Sequence, residues 1–131
     1  ARLRMTTLYQ VAAANKGIVV GTGNKVEDFG VGFYTKYGDG GVDISPIADC
    51  NKSDVWKLGK ELGILKEIID APPTDGLWDD GRTDEGQLGF KYSELEDAMG
   101  NPNSPHREQY EKIRNQNLHK MEPIPVCKIP S

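Results

Sequence analysis

The sequence predicts part of an α/β domain, and three observations carry that reading. An apolar run, Gly17-Ile18-Val19-Val20, suits a short buried strand, and the turn Gly21-Thr22-Gly23-Asn24 follows at its carboxyl end. A second extended stretch, residues 42–48, holds Pro46, which excludes a central helix there. Helical patterns flank both stretches. Two strand candidates are fewer than an open sheet needs, so the remaining strands are expected to be missing or to come from a partner. That shortage predicts exposed apolar surface on the chain alone.

The elements follow in order. Residues 2–15 read as a helix that stops before Gly17, and it opens with Arg2 and Arg4. Cations in a first turn oppose the helix dipole. They read as solvated charges unless an anionic ligand is present. The strand at residues 17–22 leads through the glycine turn to a short helical pattern at residues 25–29. Glycines at a strand's carboxyl end let backbone approach a phosphate, so this stretch suggests a nucleotide site. Such turns are common, and the pattern alone is moderately specific. Residues 35–41, TKYGDGG, have turn chemistry throughout.

Asn51 is the expected N-cap of the next helix, with Val55, Leu58 and Leu62 as its apolar stripe, Trp56 beside it and Gly63 as its stop. Lys52 lies in the first turn, again against the dipole. Residues 65–70 form a short helix. Residues 71–89 read as a long polar loop pinned by Leu77, Trp78 and Leu88. Its acidic residues lack calcium-loop spacing and read as solvated. Residues 92–99 form a helix with Ser93 and Glu96 as a capping box. Pro102 and Pro105 bracket a turn, and a polar helix runs from Ser104-Pro105 to about His119. Residues 121–131, with Pro123, Pro125 and Pro130, form an extended tail.

Composition narrows the function. The 131 residues suffice for one modest core, and no apolar run is long enough to span a membrane. The amino terminus lacks a signal-peptide layout. Cys50 and Cys127 suit two reduced thiols of a cytoplasmic protein. The net charge is −4, against binding to nucleic acid. Asp75, Asp79, Asp80, Asp84 and Glu85 against Arg82 account for all of it, so the rest of the chain is neutral. Phosphate binding must then come from individually placed cations.

The stretch GTGNKVEDFGVGFYTKYGDGG, followed by ISPIADCNKSDVWKLGKELGI, resembles the carboxyl-terminal half of bacterial NAD synthetases of the ammonia-dependent kind. ARLRM, APPTDGLWDDGRTDEGQLG and NLHKMEPIPV extend the resemblance over the whole length, in the family's order. It implies a doubly wound, Rossmann-like parallel sheet of the adenine-nucleotide alpha-hydrolase (ATP-pyrophosphatase) type, present here as a partial domain. Residues 1–131 would be the carboxyl-terminal part of one synthetase domain in a cytoplasmic homodimer. The implied reaction adenylates the nicotinate carboxylate of deamido-NAD with ATP and releases pyrophosphate. Ammonia then attacks, giving NAD and AMP, with Mg2+ on the phosphates and water excluded from the adenylate.

By the same resemblance, Thr22, Lys52 and Thr74 match ATP contacts, and Glu27 matches the magnesium ligand. Arg2, Lys36, Asp43, His119 and Lys120 match residues that bind deamido-NAD. No residue is assigned to catalysis. The spacing from Glu27 to Lys36 is one residue longer than in some members, so both placements depend on a small gap. The family's pyrophosphate loop, Ser-Gly-Gly-x-Asp-Ser, does not occur in this sequence. The chain is therefore expected to be the carboxyl half of a longer enzyme. Two other readings stay open. One is an inactive fragment serving as a nucleotide-binding or dimerisation module. The other is the ligase part of a glutamine-dependent synthetase, whose amidase cysteine neither Cys50 nor Cys127 supplies.

Overall fold

The computed structural model describes residues 1–130. Six α-helices carry the described chain: α1 (Arg2–Ala14), α2 (Lys52–Glu61), α3 (Lys66–Ile69), α4 (Asp84–Leu88), α5 (Tyr92–Gly100) and α6 (Arg107–Met121). Between α1 and α2 lies a π-helical segment, Val26–Val31. The two expected strands meet in one parallel bridge, Val20 with Ile44. Gly21 N donates to Ile44 O at 2.7 Å, and Asp43 N donates to Val19 O at 2.9 Å. No longer ladder forms among the described residues. The expected doubly wound sheet is not seen among the described residues beyond this bridge, and the described chain is mostly helical. Ser131, the last residue of the expected tail, lies outside the described residues, and residues 122–130 have no regular structure.

The core is built by helices. Val26 and Val31 of the π-helical segment pack with Phe90, Tyr92, Leu95, Ala98 and Tyr110, and Phe33, Leu88, Met99 and Ile113 close around them. Gly32 ends the π-helix with φ +66°, and a Cβ there would lie 2.5 Å from Asn117 Cβ on α6. A side chain would therefore both strain the backbone and push α6 away. Away from this core, apolar side chains stand in the open. Ile18, Val20 and Ile44 are about half exposed on the bridge, and Leu3 on α1 and Leu62 beyond α2 are 86% and 75% exposed. Of the expected α2 stripe, Leu58 and Leu62 face outward and Val55 is half-buried, while Trp56 meets Tyr92 edge to face at 6.5 Å.

Three local readings change. Residues 84–88, taken for loop, form α4, because Thr83 Oγ1 accepts Gly86 N at 3.1 Å and caps the turn. Ser93 and Glu96 do not cap α5. Lys91 is the N-cap, and Glu94 accepts its N–H at 2.8 Å. Helix α6 starts at Arg107, because Ser104 first closes a turn in which its O accepts Arg107 N at 3.1 Å.

Glu96 is used across the fold. Its carboxylate accepts Ser53 N at 2.9 Å and Ser53 Oγ at 2.8 Å, so α5 caps the first turn of α2. Glu96→Ala is expected to cost about 1–2 kcal/mol, the range for a lost helix cap, and to loosen the turn that carries Lys52. Urea unfolding of this chain measures it, and an unchanged midpoint would show that α2 holds its own N-terminus.

Candidate functional site

A cavity of about 710 Å³ opens between α1, the glycine turn, the π-helical segment, α2, α6 and the loop before α4. Its wall is laid down by three local devices. The bridge between Val20 and Ile44 sets Gly21, Thr22 and Gly23 along one side. Asn24 is 2% exposed and its Oδ1 accepts Val26 N at 3.0 Å and Glu27 N at 3.2 Å, which starts the π-helical segment and aims Glu27 inward. Asn51 N donates to Asp54 Oδ2 at 3.2 Å, which fixes the first turn of α2 and with it Lys52.

Glu27 is the centre of a polar cluster. Lys52 Nζ donates to Glu27 Oε1 at 3.3 Å, and both side chains are mostly buried, at 18% and 15% exposure. Tyr92 OH donates to the same oxygen at 2.5 Å, and Asn24 N donates to Oε2 at 3.3 Å. Lys52 also sits over the Tyr92 ring, 4.8 Å from its centroid. Burial first, then the Glu27 charge, holds the Tyr92 phenol well above its ordinary range, so it stays a donor. Asp84 Oδ2 lies 3.5 Å from Tyr92 OH, and burial followed by the Glu27 charge raises the Asp84 carboxyl, with Lys52 opposing.

Thr22, Glu27, Lys52, Thr74 and Lys120 all line the cavity. The others do not. Arg2 is exposed at the start of α1, and Arg4 of the same helix lines the wall in its place. Asp43 is used by the fold: Oδ2 accepts Val19 N at 2.8 Å and Oδ1 accepts Tyr9 OH at 3.3 Å, which ties α1 to the bridge. Lys36 Nζ donates to the His119 carbonyl, and the exposed His119 side chain is not part of the wall. Lys120 Nζ donates to Gly32 O and Tyr34 O, each at 2.7 Å, and burial lowers its pKa. Lys36 and Lys120 thus clamp the end of α6 against residues 32–36.

Asp84 and Asp28 line the cavity. From the sequence Asp84 reads as one of the solvated acidic residues of the loop, whereas it is buried, and neither Asp28 nor the buried Tyr92 is singled out. Tyr92 carried no signal beyond an aromatic in a first helical turn. Asp28 is distinctive: burial, then Glu27 and Asp39, raises its carboxyl from the ordinary 3.8 to about 6. It packs over Gly23, where a Cβ would lie 2.2 Å from Asp28 Oδ1. A raised carboxyl favours the protonated fold. Asp28 therefore contributes most stability below pH 3.8, loses it as pH rises from 3.8 through about 6, and opposes folding above that. Asp28→Asn is expected to raise the Tm of this chain at pH 8 and to leave it nearly unchanged at pH 4. Equal shifts at both pH values would assign the effect to packing.

The described residues contain no group of three or more His, Cys, Asp or Glu side chains arranged for a metal ion. Glu27 alone still suits a hard cation that takes its other ligands from water and phosphate, as magnesium does. The described helices include none long and apolar enough to cross a membrane.

The NAD synthase family model matches residues 1–129. The chain belongs to the NAD synthase family. The NH3-dependent NAD+ synthetase of Alkaliphilus oremlandii is 42% identical over 131 residues, covering 98% of this chain and 52% of its own length. That of Carboxydothermus hydrogenoformans is 48% identical over 95 residues, covering 72% of this chain and 38% of its own length. The chain spans about half the length of the curated relatives it matches. The solved structure of NMN synthetase from Francisella tularensis superimposes with a TM-score of 0.89 at 39% identity, over 98% of this chain and 54% of that one. NH3-dependent NAD synthetase from Campylobacter jejuni, in complex with nitrate, does so at 0.68 and 25% identity, over 98% and 53%. Family membership implies a fold of the adenine-nucleotide alpha-hydrolase type.

Proposed function

We propose that this chain is the carboxyl-terminal part of an ammonia-dependent NAD synthetase, which amidates the nicotinate carboxylate of deamido-NAD at the expense of ATP. The observation that carries the reading is the Glu27–Lys52 pair on a nucleotide-sized cavity, next to Thr22 and Thr74, in a chain of this family. In this reading Lys52, Thr22 and Thr74 hold ATP, and Glu27 takes Mg2+ with the phosphates. Magnesium would screen the charge that develops on pyrophosphate as it leaves. Lys120, Lys36, His119, Asp43 and Arg2 bind the nicotinate nucleotide, and the clamp between Lys36 and the His119 carbonyl rearranges to free the lysine. The half-exposed bridge around Val20 and Ile44 supports a doubly wound sheet completed by further strands. The exposed faces on α1 and α2 support burial against the rest of a cytoplasmic homodimer.

A second reading concerns the substrate. The likeness is greater to a structure named NMN synthetase than to one named NAD synthetase. That favours nicotinate mononucleotide as the acid amidated by the same chemistry. The full-length enzyme, given ATP, magnesium and ammonium, decides between them. Chromatography of the products should show AMP with NAD from deamido-NAD. Faster turnover of nicotinate mononucleotide to its amide would select the second reading, and no AMP with either acid would reject both.

A further inference from the structure

Tyr92 is the member of the polar cluster that the nucleotide reading leaves unused. It is 1% exposed and does not line the cavity. Its ring belongs to the core with Val26, Val31, Phe90 and Leu95, and Trp56 meets it edge to face. Its N–H donates to Glu85 Oε1 at 2.9 Å, which ties the first turn of α5 to α4. Main chain and ring are both held, so the place of the hydroxyl is set. Packing alone would be served by phenylalanine, since a buried hydroxyl is costly unless it finds a partner. This one meets two carboxylates, Glu27 Oε1 at 2.5 Å and Asp84 Oδ2 at 3.5 Å.

The donors on Glu27 differ in kind. Oε2 accepts the main-chain N–H of Asn24, and Oε1 accepts both Lys52 Nζ and Tyr92 OH. Lys52 lines the cavity, so an arriving phosphate can draw it away. A lysine that turns to phosphate leaves Oε1, and the phenol is the side-chain donor that stays. Lys52 has its own tie to Tyr92, since its Nζ stands 4.8 Å from the ring centroid. The lysine is therefore kept beside Glu27 without relying on the ion pair. One buried aromatic serves a carboxylate with its hydroxyl and an ammonium group with its face.

We propose that Tyr92 is a positioning residue of the nucleotide site: its hydroxyl keeps Glu27 aimed into the cavity when Lys52 turns to the phosphates of ATP, and its ring holds Lys52 beside that carboxylate. The inference rests on the ligase reading and adds to it the buried residue that sets the geometry of its two charged groups. Outer partners of this kind govern how well a carboxylate takes a metal ion, and losing one costs about 10- to 100-fold in metal affinity or activity.

Tyr92→Phe in the full-length enzyme removes the hydroxyl and keeps the ring. Calorimetric binding of α,β-methylene ATP, an analogue that cannot release pyrophosphate, reads the site without turnover. The variant should bind it about tenfold more weakly with magnesium present, and about as well as the parent in EDTA. The magnesium concentration for half-maximal AMP formation should rise by a similar factor, with KM for the acid substrate unchanged. Glu27→Asp draws the carboxylate back from the hydroxyl without touching the core. It should reproduce the magnesium-selective loss, which guards against a folding defect in the first variant. Adding Tyr92→Phe to Glu27→Gln should weaken binding by less than about twofold further, because the hydroxyl acts through that carboxylate. A full tenfold further loss there, or equal losses with magnesium and in EDTA, would overturn the proposal and make Tyr92 a structural residue. Parent-like binding and magnesium dependence in Tyr92→Phe would also overturn it. Unchanged magnesium dependence in Glu27→Gln alone would overturn the metal role of Glu27 itself, and the role of Tyr92 with it.

Discussion

Lys52→Ala is expected to lower ATP-dependent amidation by the full-length enzyme about tenfold to a hundredfold, chiefly through ATP use. That is the range for losing a charged hydrogen bond to phosphate. The same substitution should destabilise this chain. Helix-dipole reasoning alone gives the opposite sign, since a lysine in the first turn of α2 faces a partial positive charge. The pair with Glu27 outweighs that term. With both side chains mostly buried, removing the lysine leaves a carboxylate with only Tyr92 OH and Asn24 N to satisfy it. About 1–3 kcal/mol of stability should go with it. Thermal unfolding of the chain and ATP kinetics of the enzyme check the two halves. A variant that melts higher would show the dipole term to be dominant, and unchanged ATP kinetics would remove Lys52 from the nucleotide site.

Leu95→Ala is expected to have the largest effect on folding. Leu95 is fully buried on α5 in the cluster that joins the π-helical segment, α5 and α6. Truncating such a leucine costs about 2–5 kcal/mol. A whole domain has only about 5–15 kcal/mol to lose, and this core is small. The variant should lose a cooperative urea transition, or shift it far down. Leu62→Ala is the matched control. Leu62 is 75% exposed, so its loss should change stability by less than about 0.5 kcal/mol. Similar midpoints for the two variants would mean that the cluster at Leu95 is not what holds the chain together.

What the sequence by itself determined was local. Helix α1, the N-cap Asn51 with Asp54 three residues on, the stop at Gly63 and the irregular proline-containing tail are each decided within a turn or two of chain. Periodicity, capping and backbone freedom act over that distance. The family could be read for a related reason, because its motifs are contiguous in the chain. Tertiary structure alone decided which polar groups meet. Tyr92 reaches Glu27 across 65 positions, and Ser53 reaches Glu96 across 43. Nothing near Glu96 distinguishes a cap for its own helix from a cap for another. The same holds for Asp43, whose carboxylate the fold takes for Val19 and Tyr9, and for Lys36, which the α6 carbonyl at His119 takes. A side chain's partner is set by what packing brings within about 3 Å, and packing is the sum of many weak apolar contacts spread along the chain. The strands show the limit most plainly: Ile18-Val19-Val20 has the residues of a buried strand, yet a strand exists only where neighbours take up its hydrogen bonds, and here one bridge does so.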